Sequence, residues 1–204
     1  MRKIDQIIRF WFEGVNDETT IEKKNSPFKK WFMKDARFDA LVREHFEKDI
    51  KKAIAGGYGD WEDTIQGRLA LIILFDQFPR NIYRGTATAF KWDQLALDLS
   101  LRSWHDGDDM AMPLIERVFV YMPFMHAEDV EIQNLSLRCF ERLVTESEKI
   151  SPLNTHYFKY NLEYARKHRD IIEKFGRFPH RNNSLSRKST VQELEFLEGP
   201  KSSF

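Results

Sequence analysis

The sequence has a single cysteine and no excess of either charge. Cys139 cannot form an intramolecular disulfide. It lies four residues from both Leu135 and Leu143, on the core-facing side of a helix, which predicts a buried, unreactive thiol. The 32 basic and 32 acidic residues cancel, so the chain lacks the overall positive charge typical of proteins that bind nucleic acid or membrane surfaces. We expect a cytoplasmic protein that binds neither nucleic acid nor membranes.

Long apolar runs and glycine-rich phosphate loops are also missing. The segment Ile7-Ile8-Arg9-Phe10-Trp11-Phe12 is too short and too charged for a signal peptide, and no run approaches membrane-spanning length. The patterns GxGxxG, GxxxxGK[ST] and GxSxG do not occur, which argues against nucleotide binding by a standard phosphate loop. No HExxH or paired ExxH pattern is present either. The sequence therefore predicts no metal site and identifies no cofactor.

What the sequence does contain is helical periodicity. Ile4, Ile7, Ile8 and Trp11 recur on one face of a helix. The segment from Ile65 to Phe75 is apolar nearly all round, which predicts a central, buried helix. No stretch alternates as a β-strand would. We predict one all-α domain over residues 1–198, built from antiparallel helix hairpins as stacked pairs or an irregular bundle, and a tail over residues 199–204.

Two polar stretches interrupt this pattern, and both contain Phe-Pro. They are Phe175-Gly176-Arg177-Phe178-Pro179-His180-Arg181-Asn182 and Asp76-Gln77-Phe78-Pro79-Arg80-Asn81. Because proline cannot continue a helix, we expect a helix to end at each stretch and also at Met122-Pro123. The next helix would open within Phe124–Asp129. Gly176 should end the helix before it, and Thr190 with Glu193 should form a capping box.

Arginines are concentrated at these interruptions, namely Arg80, Arg84, Arg177, Arg181 and Arg187. Guanidinium groups held by loops can bind carboxylate or phosphate through paired hydrogen bonds. The alternative is that they pair internally with Asp76, Glu128, Asp129 and the carbonyls at helix ends.

Histidines near the same stretches are candidates for acid–base chemistry. His126 and Asp129 would lie on one helical face, so Glu128 or Asp129 could orient His126 as a general base, or simply cap the helix. His168 shares a face with Ile171 and Ile172, which favours a structural histidine. His180 lies in the loop itself and is the better catalytic candidate.

Several of these motifs resemble signatures of the bacterial domain of unknown function 924 family. They are Phe10-Trp11-Phe12, Phe75–Asn81 with Arg84-Gly85-Thr86, Tyr121–Asp129, His168–Asp170, Phe175–Asn182, Arg187 and Ser189-Thr190. The resemblance extends from about Ile4 to Leu197. It implies a tetratricopeptide-like stack of helix hairpins that forms a right-handed superhelix, in a bacterial-type cytosolic protein, and it implies no established activity.

The sequence departs from this family pattern at three positions. Ala127 replaces Ser and Met125 replaces Glu, which weakens any mechanism that needs a hydroxyl or an extra carboxylate there. Ser186 replaces Gly before Arg187, which predicts a changed backbone conformation, since Ser tolerates positive φ poorly.

Three functional hypotheses follow. The first is a binding protein whose pocket takes a small anionic metabolite or an acidic peptide. Its candidate ligand-binding residues are Asp76, Arg80, Asn81, Arg84, His126, Glu128, Asp129, Arg177, His180, Arg181, Asn182 and Arg187. The second is a hydrolase-type enzyme with His126 or His180 as general base and Glu128 or Asp129 as its partner. The third is a purely structural polar network, which predicts no open pocket beside Arg177. The sequence does not decide between them, and it does not indicate the oligomeric state.

Overall fold

The computed structural model describes residues 1–22 and 26–199, and in these residues the chain forms helices and no β-strand. The α-helices are α1 (Lys3–Phe12), α2 (Ser26–Phe32), α3 (Ala36–Ile54), α4 (Ile65–Ile72), α5 (Phe78–Ile82), α6 (Asp93–His105), α7 (Leu114–His126), α8 (Val130–Ile150), α9 (Thr155–Phe175) and α10 (Val191–Glu198). Short 3-10 turns span Gly59–Asp63, Ala87–Phe90, Asp108–Ala111, Pro152–Asn154 and Pro179–Arg181. The predicted all-α fold is confirmed.

The core is built around two helices that are buried on nearly every side, α4 and α7. Helix α7 packs against α4, α6, α8 and α9, while α8 lies along α9. The short connection between α8 and α9 turns the chain back on itself, as expected for an antiparallel pair. Cys139 is buried in α8, so its predicted burial is confirmed, and burial raises the pKa of its thiol to about 12.

Local signals set several helix ends as predicted. Gly176 ends α9 in the left-handed conformation with φ 70°. Thr190 and Glu193 form the capping box that starts α10. A small apolar cluster of Ile171, Ile172 and Phe178, with Phe175 and Phe196 against it, holds α10 on the body of the protein.

The expected helix end at Phe78-Pro79 is wrong. Residues Ile73–Gln77 form a π-helical turn, and the helix then continues through Pro79 to Ile82. The Phe78 amide donates to the Ile73 carbonyl, five residues back. Pro79 falls in the first turn after this widening, where a missing N–H is tolerated.

The expected break at Met122-Pro123 is also wrong. Helix α7 carries Pro123 inside it and runs to His126. The chain leaves the helix at Ala127, and the Asp129 carboxylate caps α8 by accepting a hydrogen bond from the Ile132 amide. Burial of α7 among neighbouring helices outweighs the hydrogen bond that Pro123 cannot donate. His126 and Asp129 therefore belong to different helices and share no helical face.

Ser186 has a φ of 54°, in the left-handed region that favours glycine. The expectation of a changed backbone before Arg187 is therefore wrong. The Arg187 amide donates to the Asn182 carbonyl at 2.8 Å, which closes the turn and holds Ser186 in this conformation.

Within the described residues, every helix is too short or too polar to cross a lipid bilayer. The superhelical arrangement implied by the family resemblance, and the division into a domain and a tail, stay predictions. Of the proposed tail over residues 199–204, residues 200–204 lie outside the described residues.

Candidate functional site

A cavity of about 460 Å³ opens between α5, the end of α7, α9 and the Pro179–Arg181 turn. Its polar lining combines basic, histidine, amide and hydroxyl side chains, namely Lys34, Gln77, Arg80, Asn81, Arg84, His126, Asn161, His168, His180, Arg181 and Ser184. Its apolar lining is rich in aromatic rings and thioethers, namely Trp31, Phe32, Met33, Phe90, Met122, Met125, Tyr160 and Tyr164. The two Phe-Pro stretches therefore do frame one cavity.

The candidate ligand-binding residues fall into three sets. Those that line the cavity are Arg80, Asn81, Arg84, His126, His180 and Arg181. Asp76 lies directly behind His126 and is completely buried. The remaining candidates, Glu128, Asp129, Arg177, Asn182 and Arg187, are not part of its lining.

Asp76 is the carboxylate around which the polar end of the cavity is arranged. Its Oδ1 lies 2.7 Å from His126 Nδ1 and 3.0 Å from Arg80 Nη1, and Gln77 donates to its Oδ2. Burial acts to raise the pKa of Asp76, but the charges of Arg80 and His126 and these hydrogen bonds outweigh it and lower the pKa. Asp76 is therefore ionised, and the π-turn places it within the most buried helix.

His126 is oriented by Asp76, and not by Glu128 or Asp129 as expected. An ionised carboxylate can only accept a hydrogen bond, so Nδ1 of His126 carries the proton and Nε2 is an acceptor when the ring is neutral. Burial and the charge of Arg80 lower the pKa of His126, against the opposing effect of Asp76. The ring is therefore neutral at pH 7, and it lies 6.2 Å from the ring of His168.

Arg181 differs from the other arginines of the cavity because its guanidinium has few partners. It is 6% exposed and lies between the rings of Phe90, at 4.7 Å, and Phe178, at 4.4 Å. It donates one long hydrogen bond of 3.4 Å to Asp93, and its buried Nε has no hydrogen-bond partner among the described residues. Burial, followed by repulsion from Arg80, lowers its pKa to about 10.

The other two arginines of the cavity each form a paired contact with a carboxylate. Arg80 donates to both oxygens of Asp93, at 2.9 and 2.8 Å. Arg84 makes the same paired contact with Asp39, at 2.9 and 2.8 Å, and Asn81 donates to that carboxylate as well. Arg181 lacks such a paired contact and is the most buried of the three guanidiniums.

The candidates outside the lining join the C-terminal segment to the body of the protein. Arg177 pairs with Glu193 at 2.7 and 2.8 Å. Glu128 accepts hydrogen bonds from Arg187 and from the Phe178 amide. The remaining contacts are the cap that Asp129 provides to α8 and a hydrogen bond from Asn182 to Ser189. Arg177 is therefore not part of the lining of this cavity.

Sequence reasoning missed part of the site. Asp93, at the start of α6, bridges Arg80 and Arg181, and Phe90 lies over both guanidiniums. No nearby sequence pattern marks either residue as part of the site. The contact between Asp93 and Arg181, for example, joins positions 88 apart in sequence. His168, interpreted as structural, lines the cavity and is 4% exposed, with its Nδ1 2.8 Å from the Tyr164 carbonyl. The described residues contain no cluster suited to a metal ion.

The comparisons agree with the resemblance. The model of the family described as "Bacterial protein of unknown function (DUF924)" matches residues 7–201. A solved structure of a protein of unknown function from Agrobacterium tumefaciens is 36% identical in sequence, with a TM-score of 0.76. The similarity covers 96% of this chain and 97% of that one. A comparison with curated proteins gave no match.

Proposed function

The chain belongs to the DUF924 family of bacterial proteins, and we propose that it binds a small anionic metabolite in the cavity beside Arg181. The main support for this proposal is that the Arg181 guanidinium is buried and has few hydrogen-bond partners. Burying a cation without full pairing is costly, and the lowered pKa of Arg181 reflects this cost. An anion that reached its unused donors would form charge-assisted hydrogen bonds and recover part of the cost.

The shape of the site favours a metabolite over an acidic peptide. Its volume of about 460 Å³ falls within the range of small-molecule sites, which is roughly 300–1,000 Å³. Peptides are usually recognised along a sheet edge or an extended groove. A chain with a single cysteine and therefore no intramolecular disulfide is typical of the cytoplasm. We therefore expect the ligand to be a cytoplasmic metabolite.

A thermal-shift screen tests the proposal with acetate, phenylacetate, succinate and inorganic phosphate as probes. A ligand at 100 times its dissociation constant adds about 2.7 kcal/mol, and each kcal/mol raises Tm by roughly 2–4 °C for a chain of this length. We expect a shift of roughly 5–10 °C with at least one probe. The shift should disappear in Arg181→Met.

Arg166→Met is the matched control, because Arg166 is exposed on α9 and pairs with Glu141. This variant loses the same charge away from the cavity and should keep the shift. A screen without any shift, or an equal shift in Arg181→Met, would contradict the proposal.

One observation favours a second candidate function, an acid–base enzyme. A buried carboxylate orients His126 and leaves Nε2 as an acceptor in a cavity that also holds cations. This arrangement suits a general base that activates water for attack on an anionic substrate. Hydrolysis of a panel of aryl esters would test it. If the protein hydrolyses one of these esters, His126→Gln should lower the rate of hydrolysis by about 10²–10⁴-fold. An unchanged rate in that variant would exclude His126 as the general base.

A further inference from the structure

The buried charges around the cavity are balanced before any ligand enters. Two deep cations, Arg80 and Arg181, share two carboxylates, Asp76 and Asp93. At the mouth, Arg84 is paired with Asp39, and Lys34 is exposed there, where water screens its charge. An anion that entered alone would therefore bring one uncompensated negative charge into the buried region.

The histidines do not supply a compensating charge in the empty site. Burial lowers the pKa of His126 and His168, and it lowers the pKa of His180 to about 4. At pH 7 these rings are neutral. A buried anion is thus stabilised fully only if one of them takes up a proton when it binds.

The contacts of His126 make it the proton acceptor. It is the ring whose Nδ1 already donates to a carboxylate, Asp76 of the π-turn. The other charged or titratable groups that face it are Arg80 of α5, His168 of α9, and His180 and Arg181 of the 3-10 turn. The nearby Glu128 is neutralised by its pair with Arg187. A ligand carboxylate placed among these groups would act as a second negative neighbour and favour the imidazolium form.

The remaining lining residues indicate the chemical character of the uncharged part of the ligand. The lining also includes a set of rings and thioethers, Trp31, Phe32, Met33, Met122, Met125, Tyr160 and Tyr164. Such a surface stabilises apolar groups through burial. A single guanidinium with unused donors matches one negative charge better than the double charge of a phosphate ester.

We propose that the ligand is a monocarboxylate with an apolar body, and that it binds together with one proton taken from solvent onto Nε2 of His126. The imidazole becomes an imidazolium, and no covalent bond to the ligand forms or breaks. This inference rests on the anion binding proposed above, and it names the ligand class and the pH dependence of that same site.

Isothermal titration calorimetry with phenylacetate tests the inference in the full chain. Buffers of different ionisation enthalpy, free of carboxylate and phosphate, report the number of protons taken up. We expect about one proton per phenylacetate at pH 7.5, and an affinity that falls by up to tenfold per pH unit between pH 7 and 8. Phenylacetamide, the neutral analogue, and phenyl phosphate, a dianion, should each bind at least tenfold more weakly.

His126→Gln should bind phenylacetate without proton uptake and with little pH dependence. His105→Gln is the matched control, since His105 lies on the exposed end of α6, and it should behave like the wild type. If His126→Gln does not fold, the ¹⁵N chemical shifts of the His126 ring in the wild type give the same information. They should change from the neutral to the protonated pattern when phenylacetate is added at pH 7.5.

The outcomes separate the two proposals. If no anion binds, both the proposed function and this inference fail. If phosphate binds and no carboxylate does, anion binding stands and the ligand class is overturned. If phenylacetate binds without proton uptake, or if uptake persists in His126→Gln, anion binding stands and the role of His126 is overturned. Stronger binding of phenyl phosphate than of phenylacetate would overturn the ligand class.

Discussion

His126 and Arg80 are joined through one atom, because Nδ1 of His126 and Nη1 of Arg80 both lie within hydrogen-bond distance of Asp76 Oδ1. A single buried carboxylate thus holds a neutral imidazole and a guanidinium at the polar end of the cavity. The stability and the chemistry of this end therefore depend on Asp76.

Replacing Asp76 with asparagine should be strongly destabilising. Asp76→Asn leaves Arg80 with Asp93 as its remaining carboxylate partner, which Arg181 shares. Removing one member of a buried ion pair costs about 3–5 kcal/mol, and urea denaturation should show a loss of this size. Asp98→Asn, on the exposed side of α6, should change stability by less than about 0.5 kcal/mol. A similar, small change in both variants would show that the buried network contributes little.

Stability should decrease as the pH falls below about 6.5. Burial, with Arg181, lowers the pKa of His180 from its ordinary value to about 4 in the folded protein, so between these values the unfolded chain binds more protons. Stability therefore rises with pH in this window. At about 1.4 kcal/mol per pH unit, His180 alone accounts for about 2 kcal/mol between pH 6.5 and 5.

Urea midpoints measured at pH 7, 6 and 5 check this dependence. His180→Gln should reduce the change of unfolding free energy with pH by the amount that His180 contributes. His105→Gln should leave this pH dependence unchanged. An equal slope in all three proteins would mean that His180 titrates normally in the folded state.

Arg177 should be important for the attachment of α10 and unimportant for the cavity. Its contact with the nearly buried Glu193 should make Arg177→Ala less stable in urea denaturation, but by less than Asp76→Asn, since Arg177 is itself partly exposed. Limited proteolysis should then cut between residues 183 and 198 faster than in the wild type. The ligand-induced shift in Tm should persist in this variant, in contrast to Arg181→Met. Loss of that shift in a folded Arg177→Ala protein would place Arg177 in the binding site.

Ser186→Gly should stabilise the protein. A non-glycine residue in the left-handed region costs roughly 1–2 kcal/mol, and the greater freedom of glycine in the unfolded chain offsets part of this gain. We expect a net gain of about 0.5–1 kcal/mol by urea denaturation. Ser186→Ala keeps the unfavourable conformation and should give no gain. Equal stability of the two variants would indicate that the turn relaxes around residue 186.

The sequence alone determined the all-α class, the central position of α4 and several helix ends. These features depend on residues three or four positions apart, such as Thr190 with Glu193, or on one residue, such as Gly176. Local energetics decide them, so a single chain is enough to predict them. The clustering of arginine and histidine at the Phe-Pro stretches also includes residues that line the cavity, such as Arg80 and Arg181.

Only the tertiary structure decided how those side chains are paired and where the prolines lie. Asp76 meets His126 across 50 positions in sequence, and Arg181 meets Asp93 across 88. The same packing keeps α7 helical through Pro123, and the π-turn carries the chain past Pro79. Local propensity favours an interruption at both prolines, but burial among neighbouring helices outweighs it. Which arginine retains unused donors is likewise decided by the carboxylates that distant helices bring to it.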